Sequence, residues 1–171
     1  GAGPMGQGNM VSGNLNQGIQ CSGTSNVIIG NFINDNGEAG IVLHGVGTTG
    51  NQILGNFIGT DLSGEVAVGN RYGVVLMNGA SGNVIGGTHT TGACDDSCNL
   101  ISGNLEMGVL LQHVGTTENQ ILGNFIGTNI SGTAAIPNNH GIAIGVSASD
   151  TQVGGTGTGE GNLISGNTNM G

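Results

Sequence analysis

Asp61 and Glu65 stand four residues apart in GTDLSGEVAVGN, and two carboxylates at such close range are the minimum equipment for general acid–base work. With loop carbonyls beside them, the same two side chains make this segment the one place where calcium could sit, so calcium is the only cofactor the sequence suggests. The corresponding positions of a second, matching segment hold Asn129 and Thr133, which cannot ionise. That replacement favours a solvated or calcium-neutralised loop over a catalytic pair. Asp35, Glu38, Asp95, Asp96, Glu106, Glu118, Asp150 and Glu160 are scattered, and no catalytic residue is assigned. His44, His89, His113 and His140 lie at unrelated phases of the repeat described below, and no zinc-type spacing occurs. The glycine-rich run GGTGTGEGN (154–162) lacks the aspartate period of calcium-binding turns.

The cysteines divide by setting. Cys94 and Cys98 lie in GACDDSC, inside a ten-residue loop (89–98) whose counterpart two units on, GTGEG (157–161), has five. An insertion carrying two cysteines at this spacing most simply closes on itself as a disulfide, which implies an oxidising, extracellular or cell-surface setting. Half a metal site would lack a third ligand, and a dithiol redox site would use a two-residue spacer. Cys21 replaces a leucine or isoleucine of the other units and is expected to be a buried, unreactive core residue.

Something must position these residues, and the composition limits what it is. Thirty-eight glycines among 171 residues would suggest disorder if they had no period, but they have one. A net charge of −9 without any lysine argues against nucleic acid and anionic membrane surfaces, which need basic side chains to neutralise phosphate. No run of about 18 apolar residues is present to insert into a membrane.

The period is an internal repeat. NQILGNFIGT occurs at 51–60 and again, unchanged, at 119–128. Gly-apolar-x-apolar appears as GIQC, GIVL, GVVL, GVLL and GIAI, starting at Gly18, Gly40, Gly73, Gly108 and Gly141. Each is followed by NVIIG, NQILG, NVIGG, NQILG or TQVGG, and then by NFI or NLI. Three short β-type segments joined by Gly- and Asn-rich corners cannot be helices, and one unit cannot bury its apolar face alone. Stacked, the units become rungs of a parallel β-helix with like residues about 4.8 Å apart. The expectation is an all-β solenoid: a single domain over 1–171, three strands per rung, about five rungs and a partial first rung at 1–17.

Two asparagine columns fit this geometry. Asn26, Asn51, Asn83 and Asn119, with Thr151 in the last rung, precede the second strand of each unit. Asn9, Asn31, Asn56, Asn99, Asn124 and Asn162 precede the third. A corner asparagine can satisfy backbone groups that a tight bend leaves unpaired, so these are structural ladder residues.

The run NxIxGN…GIxL, with GNFIGTDLSG and NLISGN, resembles the right-handed parallel β-helix repeats of secreted and cell-surface proteins of bacteria and archaea. In repeat style it is similar to the pectate-lyase-like superfamily, and the resemblance spans essentially the whole chain. It implies the fold and leaves the function open, because that scaffold carries lyases, hydrolases, adhesins and fibres. Polysaccharide enzymes of the kind cluster Asp, Arg, Lys or His on one face and add aromatic platforms. Here lysine and tryptophan are absent and Arg71 stands beside the single Tyr72. The expected function is therefore an extracellular structural or adhesive protein: a stalk, fibre or self-assembling filament subunit. Its partners would be cell-surface or matrix components and copies of itself. A carbohydrate-binding or polysaccharide-degrading module is the alternative, and an ice-binding surface is third.

Ile19, Ile41, Val74, Val109 and Ile142 should stack inward with Cys21, Leu43, Leu76, Leu111 and Ile144. In the third strand two adjacent positions are apolar, and only one can point inward. The β-branched column should face in. Met10, Phe32, Phe57, Leu100, Phe125 and Leu163 would then form an outer stripe for contacts, unless the arms at 59–72 and 127–140 fold over it or it turns inward at a bent corner. Finally, the chain opens with GAGPMGQGN and stops at Gly171, both inside the repeat pattern. This is the expectation for a piece of a longer array or for copies stacking end to end.

Overall fold

The computed structural model describes residues 8–90, 92–95, 97–145 and 147–171. Asp96 and most of the opening GAGPMGQGN lie outside the described residues. Among the described residues every regular element is a β-strand, and the strands, numbered in chain order, form three parallel sheets. The first strand of each rung belongs to one sheet: β2 (Ile19–Cys21), β5 (Ala39–His44), β8 (Tyr72–Met77), β11 (Met107–Gln112) and β14 (His140–Ile144). The second sheet holds β3 (Val27–Ile29), β6 (Gln52–Leu54), β9 (Val84–Gly86), β12 (Gln120–Leu122) and β15 (Gln152–Val153). The third holds β1 (Met10–Ser12), β4 (Phe32–Asn34), β7 (Phe57–Ile58), β10 (Leu100–Ile101), β13 (Phe125–Ile126) and β16 (Leu163–Ile164). Each inner strand pairs with its equivalent in the rungs on either side, and each edge strand with one, so the fold is a right-handed parallel β-helix of about five rungs.

Register follows the repeat. Ile41 pairs with Val74, Val74 with Val109, and Leu43 with Leu76; Ile33 pairs with Ile58 and Ile53 with Ile85. All of these side chains are fully buried and form one continuous core that also contains Ile101, Leu111, Ile121 and Ile126. Each such burial is worth about 1.5–3 kcal/mol relative to exposure, and the period-of-two pattern directs every one of them inward.

The inward set departs from expectation at its margins. Cys21, Ile19 and Ile142 are only half-buried, and Ile144 is exposed. Their strands, β2 and β14, are the two edges of the first sheet and have a neighbouring strand on one side only, although a single parallel bridge joins His140 of β14 to Met170. Cys21 is a free thiol whose Sγ lies 3.4 Å from the Asn26 side-chain amide rather than an enclosed core atom.

The aromatic stripe is covered by the chain itself. Phe32, Phe57, Leu100 and Phe125 are buried and form a second cluster with Cys94 and Cys98, with Ile130 and Leu163 packed against it. Only Met10 of the column stands out in solvent. The column thus lies outside the main core but beneath the arms, and no open contact stripe of six residues results. Phe32 and Phe57 meet edge to face with centroids 5.4 Å apart. Gly64 permits the cover: it sits at φ +69°, and a Cβ there would lie 2.9 Å from Leu100 and 3.2 Å from Phe57.

Candidate functional site

Asparagine side chains hold the three corners together. At the corner before the second strand, Nδ2 of Asn26 donates to Oδ1 of Asn51, Asn51 to Asn83, and Asn83 to Asn119, over 2.9–3.1 Å. At the corner before the third strand the chain of donors runs Asn9, Asn31, Asn56, Asn99, Asn124, Asn162, over 2.9–3.0 Å. Each Oδ1 also accepts the backbone N–H of the preceding asparagine, as Asn99 does from Asn56 at 2.9 Å. From Asn51 onward the side-chain amide also reaches a carbonyl in the rung before, as in Asn99 to Ile53 at 2.7 Å. One side chain therefore satisfies the backbone groups that a tight corner would otherwise strand.

A third ladder closes the remaining corner and was not legible as a column in the sequence. Asn14, Asn36, Asn70, Asn104, Asn138 and Asn167 donate in turn, Nδ2 to Oδ1, over 2.8–3.1 Å. Asn36 and Asn104 follow the inward isoleucine of their third strand by three residues, whereas Asn70 and Asn138 follow theirs by twelve. The inserted arms break the spacing without breaking the ladder.

The two arms are short hairpins, bridged at Thr60–Ala67 and at Thr128–Ala135. In the first, Asp61 Oδ1 accepts the backbone N–H of Glu65 and of Val66, and both carboxylate oxygens accept from the Ser63 hydroxyl at 2.9 and 2.7 Å. Burial works to raise the Asp61 pKa, but the Ser63 hydroxyl and the amides of Val66, Glu65 and Ser63 outweigh it and hold the carboxyl below its ordinary value. Glu65 points elsewhere, accepting from Asn129 Nδ2 of the second arm at 3.0 Å. The Asp61 and Glu65 carboxylates thus face different donors. This arrangement caps a turn and ties two arms together, and it presents no shared proton.

Cys94 and Cys98 are joined by a disulfide, with Cα atoms 5.2 Å apart. Both are buried on the aromatic column, and the Cys94 N–H donates to the Ile130 carbonyl of the second arm at 3.0 Å. Within this loop Asp95 accepts the hydroxyl and the N–H of Thr90, which lowers its pKa against a smaller contrary effect of burial.

The remaining titratable residues are spread out. Glu38 pairs with Arg71 at 3.3 Å, both side chains exposed, and Arg71 lies over the Tyr72 ring, 5.2 Å from its centroid. His44 and His140 end and begin their strands, in register with Met77 and Met107. His113 adopts a left-handed φ of +76°, and His89 lies in the disulfide loop. Among the described residues no three His, Cys, Asp or Glu side chains converge closely enough to hold a metal ion. On the outer face of the first sheet a cavity of about 210 Å³ is lined by Tyr72, Gln17, Glu38, Val42, Val75 and Gln112.

No family model, curated protein or solved structure matches this chain.

Proposed function

We propose that this chain is a structural or adhesive segment of an extracellular stalk or fibre, a non-catalytic parallel β-helix of the pectate-lyase-like kind. The observation that carries the reading is the lacing of all three corners: an asparagine ladder runs from rung to rung along each of them. A corner fixed by side-chain bonds to both neighbours resists shear between rungs, which is what a rod under load requires. The buried Cys94–Cys98 disulfide supports an oxidising location. Acidic residues outnumber the single arginine ten to one, which suits a soluble surface that repels nucleic acid. Partners in this reading are cell-surface or matrix components and copies of the chain.

One observation favours a second reading, a carbohydrate-binding or polysaccharide-degrading module. The cavity beside Tyr72 combines an aromatic face, the amides of Gln17 and Gln112 and the Glu38 carboxylate, a combination that suits a sugar ring. A glycan array together with a panel of polysaccharide digests separates the two. The structural reading predicts no released oligosaccharide and no glycan retained through Tyr72. Depolymerisation of any polysaccharide, or binding abolished by Tyr72→Ala, contradicts it.

A further inference from the structure

His89 sits where the disulfide loop meets the glycine-rich loop of the rung two further on. Its ring packs edge-on against Phe125, with centroids 5.1 Å apart and planes at 76°. Nδ1 lies 2.7 Å from the Thr90 carbonyl oxygen and Nε2 lies 3.0 Å from that of Gly161. The His89 backbone N–H donates to the Gly159 carbonyl at 3.1 Å, and there is no room for a Cβ on Gly159, which would lie 2.3 Å from the His89 oxygen. The two loops are therefore in contact through one side chain and its own backbone.

A carbonyl oxygen only accepts hydrogen bonds, and a neutral imidazole carries one N–H and one bare lone pair. A neutral ring could satisfy one of the two carbonyls and would set its lone pair against the other. Only the imidazolium donates to both. We infer that His89 is a proton-dependent latch: protonated, it clamps the disulfide loop to the 154–161 loop over Phe125 and Leu163, and deprotonation releases one of the two attachments. The charged groups on the elements it joins are both acidic. Among the described residues these are Asp95 in the disulfide loop, held by Thr90, and Glu160 in the facing loop, which accepts the Gly157 N–H; β13 contributes no charge. Beside the latch is a crevice lined by His89, Gly92, Gly159, Gly161, Asn162 and Leu163, so its release bears on access to the end of the apolar column.

The second attachment belongs to the protonated ring alone, so the clamp is complete at acidic pH and loses one attachment once the ring is neutral. The test is hydrogen exchange on the disulfide-intact protein at pH 5 and pH 8, corrected for intrinsic rates. The amides of His89 and Ser97, which donate to Gly159 and Thr88, report on the loop, and core amides such as Val74 serve as reference. The expected result is protection of the loop about tenfold higher at pH 5, the scale of one charge-assisted bond, with Val74 unchanged. In His89→Gln, which keeps a single donor group, the pH dependence should vanish. Equal loop protection at the two pH values, or the same pH dependence in His89→Gln, overturns the latch. Nitrogen NMR of the wild-type imidazole gives a reading that needs no variant: both ring nitrogens should carry protons at pH 5, and a neutral single tautomer there overturns it equally.

Discussion

Asp61 and Asn129, 68 residues apart in sequence, occupy the same place in the two arms and accept the same pair of bonds. Asp61 Oδ1 takes the N–H groups of Glu65 and Val66, both at 3.1 Å, and Asn129 Oδ1 takes those of Thr133 and Ala134 at 2.9 and 3.1 Å. A neutral amide oxygen thus does in one arm what a carboxylate does in the other. The turn requires an acceptor, and the negative charge is incidental to it.

Asp61→Asn should accordingly change stability at pH 7 by less than about 1 kcal/mol, whereas Asp61→Ala strands two turn amides and should cost more. The folded-state pKa of Asp61 is lowered, so its contribution is present above the ordinary carboxylate range and is lost as pH falls through the folded value. Denaturant titrations between pH 7 and pH 2 should show this acid loss in the wild type and a smaller one in Asp61→Asn. Because Ser63 and two amides already occupy this carboxylate, added calcium should leave the melting temperature unchanged relative to chelator.

Asn104 lies in the middle of the third ladder, fully interior. Its Oδ1 accepts from the backbone and side chain of Asn70, and its Nδ2 donates to Asn138 and to the Ile58 carbonyl. Asn104→Ala strands several of these buried groups at about 1–3 kcal/mol each, so a loss of several kcal/mol in chemical denaturation is expected. Asn169→Ala, an exposed asparagine outside the ladders, should cost little. Equal losses in the two variants would remove the ladders from the account of stability.

Alkylation without reduction, read by mass spectrometry, should label Cys21 alone. Cys94→Ser with Cys98→Ser should destabilise by about 2 kcal/mol from loop closure, plus the cost of placing hydroxyls in the aromatic cluster. A label on either loop cysteine of the untreated protein would contradict the pairing.

Leu76 is fully buried between Leu43 and Leu111, while Leu62 at the arm tip is 47 % exposed. Leu76→Asp puts an unpaired charge inside a rung and should cost several kcal/mol, and Leu62→Asp should stay within about 0.5 kcal/mol. Thermal melts of the two variants compare interior and surface directly.

The fold could be read from the sequence because a solenoid repeats its physics: the same corner needs the same asparagine, and the same interior column needs a β-branched residue. That is why Asn51 and Asn119, or Ile58 and Ile126, carry equal information. The third ladder escaped because Asn70 and Asn138 lie beyond the arms, where spacing no longer marks equivalence. The fate of Phe57 and Phe125 could not be read from alternation, which shows that one of two adjacent apolar residues faces out but not what covers it. The cover comes from Gly64, Ile130 and the disulfide loop, contacts distant in sequence. Cys21 reads as a core residue by column, yet its burial depends on having a rung on each side. His89 carries no sequence signal at all, since its partners are backbone carbonyls that any residue would supply.

The proposal that this β-helix serves as a rod outside the cell meets its most direct test in immunogold electron microscopy of intact producing cells. An antibody raised against the exposed first arm, around Leu62 and Val66, would report on location without entering the envelope. The account predicts gold on stalks or fibres projecting from unpermeabilised cells. Label that appears only after permeabilisation, or gold scattered with no extended structure beneath it, would contradict it.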